Sequence, residues 1–96
     1  MSDNSQVTVL IPTPLRRFTD GEAQVSARGS TVAALLEDLD THHPGLKERI
    51  CEDDGQIRRF VNIFVNGENV RDRDGADTSV KSGDEIGIIP AMAGGR

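Results

Sequence analysis

The sequence predicts an α+β domain, a mixed sheet of four to five strands with one main helix laid across it. Three observations carry this. β-branched apolar runs stand near both ends of the chain and in its second half. One stripe of apolar residues at helical spacing lies between them. The turn dipeptides Asp20-Gly21 and Asn66-Gly67 punctuate the strands. With 96 residues there is length for one core and too little for two.

Val7-Thr8-Val9-Leu10-Ile11 reads as the first strand, with Val7, Val9 and Ile11 on one face and Pro12 at its end. Pro12 and Pro14 bracket an irregular stretch that runs to the Asp20-Gly21 turn. Glu22 to Ala27 alternates polar and small apolar residues, as the returning strand of a hairpin would. After Gly29, Ser30 or Thr31 can cap a helix. Val32, Leu35, Leu36 and Leu39 fall at i, i+3, i+4 and i+7, while Glu37, Asp38 and Asp40 take the solvent side. His42-His43-Pro44-Gly45 stops that helix, and Leu46 to Ile50 adds one further helical turn. Phe60 to Val65 is the strongest strand signal. It is apolar on both faces, which predicts a central strand covered on both sides. Glu68-Asn69-Val70 returns as a short strand. Arg71 to Ala76 reads as a mobile charged loop, and Glu85 to Pro90 as the last strand.

Composition excludes several classes of function. Eleven basic against sixteen acidic side chains give a net charge of −5, which disfavours a polyanionic ligand such as nucleic acid. Three phenylalanines with no Trp or Tyr leave no stacking platform for single strands. No apolar run approaches the roughly 20 residues of a membrane span. Residues 1–6 hold neither a basic segment nor an apolar core, so they do not read as a secretory signal. A lone cysteine, Cys51, fits a reducing cytoplasm. With two adjacent histidines and one thiol, catalytic hardware is thin, and a chain of this kind is more often acted upon than acting.

The element order, β-β-α-β-(β)-β, is that of a β-grasp, the ubiquitin-like fold. The expected organisation is a frayed N-terminus over 1–5, the β-grasp domain over 6–90, and a flexible tail over 91–96. The tail, Ala91-Met92-Ala93-Gly94-Gly95-Arg96, follows directly on a strand and holds little bulk beside its backbone. A thin segment of this kind suits insertion into a narrow enzyme tunnel.

The residues now quoted resemble the ThiS/MoaD family of ubiquitin-like sulfur carriers. The likeness runs through the opening Val7 to Pro12, the leucine helix, Phe60 to Gly67 with its V-N-G, and Gly83-Asp84-Glu85. It continues from Ile89-Pro90 to Gly94-Gly95. Within the family the chain looks most like the carriers of O-phosphoserine-dependent cysteine biosynthesis, the CysO type, through Ile11 to Arg16 and Arg59 to Asn66. The resemblance implies a carrier and not an enzyme. An E1-like adenylating enzyme would activate the carboxylate of Gly95, with Gly94 and Ala93 as the slim approach, and sulfur would replace AMP to leave a thiocarboxylate. A PLP-dependent cysteine synthase would use that sulfur, and a zinc JAMM-type metallopeptidase would release the product. ATP, PLP and zinc would belong to those partners, and none would be bound by this chain. Arg96 departs from the family's Gly-Gly ending, so a peptidase must first cut between Gly95 and Arg96. The same resemblance leaves two alternatives, the small subunit of molybdopterin synthase and a ubiquitin-like protein modifier. Thiamin-pathway carriers rank lower, being typically shorter.

Other residues invite roles and read more simply as structure. Cys51 has no predicted site around it. His42 and His43 are adjacent on a helix end and point apart, so they make no metal pair, and Asp53-Asp54-Gly55 lacks the oxygen spacing of a calcium loop. Arg58-Arg59 and Arg71/Arg73 are interleaved with acids in part and read as mixed-charge surface. Partners are expected on the sheet face opposite the helix, where Leu10, Phe64 and Ile88 compete for the outward positions. The acidic balance suggests that those partners present basic grooves.

Overall fold

The computed structural model describes residues 6–90. The expectations for residues 1–5 and for Ala93, Gly94, Gly95 and Arg96 lie outside the described residues. Strand β1 (Gln6–Leu10) pairs antiparallel with β2 (Gln24–Arg28), Val9 facing Val25. The two Pro residues between them start a 3-10 helix, Thr13–Thr19, because proline at its first turn gives up no bond that the turn needs. It closes on Asp20 in the left-handed region, and the buried Thr19 hydroxyl donates to the Glu22 carbonyl at 2.9 Å.

Helix α1 (Val32–His42) begins as its sequence demands. The Thr31 hydroxyl accepts the Ala34 N–H at 3.2 Å, and Val32, Leu35, Leu36 and Leu39 are buried. At its far end the Asp40 carboxylate accepts the N–H of Gly45 at 3.1 Å, which ties the break to the start of α2 (Leu46–Ile50). Lys47 of α2 pairs with Glu37 of α1. Gly29 lets the chain pass under the helix start. A Cβ there would lie 2.7 Å from the Leu35 nitrogen.

Strands β3 (Val61–Val65) and β4 (Glu68–Asn69) join through Asn66-Gly67. Both residues have positive φ (51° and 88°), the type I′ geometry that matches strand twist. Strand β5 (Glu85–Pro90) lies between β1, which it meets in parallel, and β3, which it meets antiparallel. The sheet order is β2-β1-β5-β3-β4, a β-grasp. Val7, Val9, Ile63, Ile86 and Ile88 point to the α1 stripe and form the core with it.

Two expectations need correction. The strand at the centre is β5, not β3, and β3 is covered on one face only: Asn62 and Phe64, which alternate with its buried valines and isoleucine, are half-buried on the open side. The pattern was misleading because Phe64 is apolar although it lies on the open face. The segment after β4 also differs from the charged loop expected. It holds two 3-10 turns, Val70–Asp72 and Gly75–Asp77, and Val70 is fully buried. Arg71 is anchored there, donating to the carbonyls of Arg58 (2.7 Å) and Val61 (2.6 Å).

Candidate functional site

The strand that leads to the tail ends at Pro90, opposite Val61 of β3. Along β5 the side chains alternate strictly: Ile86 and Ile88 are buried, while Glu85 and Ile89 are exposed. The period of two therefore sends Ile88 into the core, and Ile89 takes the outward place for which Ile88 had been considered. Leu10 and Phe64, the other two candidates, lie on the open face, half-buried. Counting back from Pro90 at period two would have separated Ile88 from Ile89.

Leu10, Phe64 and Ile89 surround Gly87, whose missing side chain makes a low point between them; this depression has a volume of about 300 Å³. A second groove, about 430 Å³, begins beside it. Leu10, Pro12, Pro14, Arg16, Ile89 and Pro90 line it, so it opens where residues 91–96 begin. Phe60, 54% exposed, precedes the β3 residue that pairs with Pro90. Together these side chains make an apolar surface that continues to the root of the tail. Surfaces of this kind mark protein contacts.

The quoted motifs on the far side of the sheet hold the strand that carries the tail. The Asp84 carboxylate accepts from Asn66 Nδ2 (3.0 Å) and from the Lys81 N–H (2.9 Å). Asn66 Oδ1 accepts the Glu85 N–H at 2.9 Å. V-N-G and G-D-E thus meet as one clamp between the β3–β4 turn and the start of β5. Sequence reading found both motifs but gave no sign that they touch.

Cys51 is buried in the core, and burial pushes its thiol above the ordinary cysteine range. His42 is exposed, and its Nδ1 lies 3.0 Å from the Asp38 carbonyl one turn back. Among the described residues no group of three or more His, Cys, Asp or Glu side chains is placed to hold a metal ion. No helix of the described residues is long and apolar enough to cross a membrane. Arg58 pairs with Glu52 at 3.2 Å and Arg73 with Glu68 at 2.9 Å.

Residues 9–95 match the model of the ThiS family. The chain is 46% identical over 91 residues to the sulfur carrier protein CysO of Mycobacterium tuberculosis, covering 93% of this chain and 98% of that one. Its fold superposes on CysO in a complex of Amycolatopsis orientalis BexX and CysO with a TM-score of 0.88, at 44% identity, covering 92% of this chain and 98% of the other. It also superposes on the small archaeal modifier protein 1 of Methanosarcina acetivorans with a TM-score of 0.81, at 32% identity, covering 94% and 96%.

Proposed function

The chain belongs to the ThiS family, and on that premise we propose that it is a sulfur carrier of the CysO type whose reactive atom is the carboxyl carbon of Gly95. The observation that carries this reading is the likeness to CysO along nearly the whole of both chains. The geometry supports it. The central strand of the sheet leads straight into the Gly-Gly tail, and an apolar face lies beside that strand end, ready for a partner.

In this reading the chain is a substrate of other enzymes. A peptidase hydrolyses the Gly95–Arg96 bond and frees the Gly95 carboxylate. An E1-like enzyme joins that carboxylate to AMP, taking it from ATP and releasing pyrophosphate. A sulfide-level donor attacks the acyl carbon, the bond to AMP breaks, and –C(=O)S⁻ remains on Gly95. A PLP-dependent cysteine synthase, which supplies the electrophilic three-carbon unit from O-phosphoserine, takes the sulfur into a thioester. The amino group of the new residue then attacks the thioester carbonyl, moving the acyl group from sulfur to nitrogen. Hydrolysis by a zinc JAMM-type peptidase returns Gly95 and frees cysteine. What this chain contributes is a docking face, a tail with little side-chain bulk, and the carboxyl carbon itself.

Intact-mass measurement on the protein purified from its native cell tests the reading. The expected species lacks Arg96 and carries one sulfur in place of one oxygen. A population that keeps Arg96 throughout and never exchanges oxygen for sulfur would refute it. The likeness to an archaeal modifier favours a second reading, transfer of the same activated Gly95 to lysine side chains. Lysines carrying the branch Ser82 to Gly95, which trypsin leaves by cutting after Lys81, in digests of the same cells would establish it. Copurification with a large catalytic subunit, together with rescue of molybdoenzyme activity, would point instead to molybdopterin synthase.

A further inference from the structure

The formal charge of −5 suggests a partner with basic grooves, but the placement of charge around the tail suggests the reverse. Strand β1 runs parallel to β5 and β3 antiparallel to it. The end of β1, the start of β3 and the end of β5 therefore share one edge of the molecule, the edge from which residues 91–96 depart. Arg16 and Arg17 lie just past β1, and Arg16 lines the groove beside Pro90. Arg59 lies just before β3 and is exposed. Arg71 reaches the same edge by donating to the carbonyls of Arg58 and Val61. Arg49 of α2 joins them through Phe18, whose ring has the guanidinium of Arg17 at 5.1 Å on it and that of Arg49 at 5.7 Å.

None of these five arginines forms an ion pair among the described residues, whereas Lys47, Arg58 and Arg73 each have a glutamate partner. The bonds that Arg16 and Arg71 do make go to neutral oxygens: Arg16 Nε to the Ile11 carbonyl, Arg71 to two carbonyls and to Asn62 Oδ1. Such bonds fix a guanidinium in place without cancelling its charge, and they leave further N–H groups free to donate. Many of the acids lie elsewhere. Glu37, Asp38 and Asp40 are on α1, and Asp74 and Asp77 belong to the last 3-10 turn and its cap, while Glu48 beside Arg49 and Asp72 beside Arg71 form no ion pair with them among the described residues. Asp20 and Glu22 stand near the arginine edge without pairing to it among the described residues.

We propose that these arginines form a carboxylate-reading rim around the tail root, and that Asp and Glu side chains at the mouth of the activating enzyme's cleft seat on it. This rests on the carrier reading above. Protein carboxylates fit better than a polyanion. The whole chain repels an extended run of phosphates, while a few acids at short range meet uncompensated, positioned guanidiniums. Attraction of this kind sets orientation and encounter rate more than final affinity, and the apolar face supplies the contact area.

A benzophenone amino acid placed at Phe60, which neighbours Arg59, tests the rim in the native cell. Crosslinked partner peptides carrying several Asp or Glu residues support the rim. Peptides dominated by Lys or Arg, nucleic-acid adducts, or no protein adduct overturn it. In parallel, the double variant Arg17→Glu/Arg59→Glu should load sulfur at least about tenfold more slowly. Asp53→Lys, half as large a charge change and of opposite sign, on an exposed loop, should load at the wild-type rate. Circular dichroism checks that both fold. Equal loading by the double variant and wild type overturns the rim. If wild-type protein never gains sulfur, the carrier reading fails on its own, and the crosslinks still decide what meets these arginines.

Discussion

Replacing Asp84 by alanine tests whether the two family motifs act as a clamp. The carboxylate is 8% exposed and accepts two hydrogen bonds, from Asn66 Nδ2 and from the Lys81 N–H. A bond to a charged group contributes about 1.5–3 kcal/mol, but Asn66 sits at the surface, so water replaces most of its lost bond. The Lys81 N–H has less recourse. The expected loss is thus about 2–3 kcal/mol, less than the sum of two full bonds. For a domain of this size each kcal/mol lowers Tm by about 4–8 °C, so Asp84→Ala should melt about 10–20 °C below wild type. Urea unfolding followed by circular dichroism gives the free energy directly. Asn66→Ala should cost less alone, and the double variant should fall short of the sum by about 1 kcal/mol, since both changes remove the same contact. A loss under about 0.5 kcal/mol for Asp84→Ala, or strict additivity with Asn66→Ala, would refute the clamp.

Three further outcomes follow from the same structure. Gly29→Ala places a Cβ 2.7 Å from the backbone nitrogen of Leu35, which cannot swing aside; a loss of about 3 kcal/mol is expected in urea unfolding, and a neutral result would mean that the helix start shifts freely. Burial raises the Cys51 thiol, so its stabilising share is intact below the unfolded thiol value of about 8.5 and fades as pH rises through the folded value. Native protein at pH 8 should resist alkylation until urea unfolds it, and Cys51→Ser should still gain sulfur at Gly95; rapid native labelling, or loss of loading in a folded variant, would restore a role for the thiol. Ile89 is 53% exposed on the open face, so Ile89→Glu should leave the melting temperature within a few degrees while slowing sulfur loading, and unchanged loading would remove that face from the docking surface.

Much of the fold was legible because local chemistry and tertiary need agree. The stripe Val32, Leu35, Leu36 and Leu39, with Thr31 before it, gave the helix and its cap, and Asn66-Gly67 gave the turn. What the sequence hid was relational. Phe60 to Val65 looked central because Phe64 is apolar, yet Phe64 lies half-buried on the open side of the sheet. Arg71, followed by Asp72, Arg73 and Asp74, looked like part of a loose charged loop; two of its three partners are main-chain carbonyls, which leave no trace in side-chain identity. The rim was hidden for the same reason. Its arginines are far apart in sequence, and only the parallel pairing of β1 with β5 gathers them. The two glycines at the heart of the functional reading were visible in the string itself, because their role needs sequence and not shape.

The central place of β5 also bears on how the tail withstands force. A partner that draws residues 91–96 into a cleft pulls along the strand axis. Five residues of β5, Ile86 to Pro90, are matched to β3 on one flank, and three, Glu85 to Gly87, to β1 on the other. The load runs parallel to both ladders, so their hydrogen bonds are sheared as a group; they are not peeled apart one at a time as they would be at a sheet edge. The tether therefore ends in a strand bonded on both flanks, and tension on the tail is shared across the sheet.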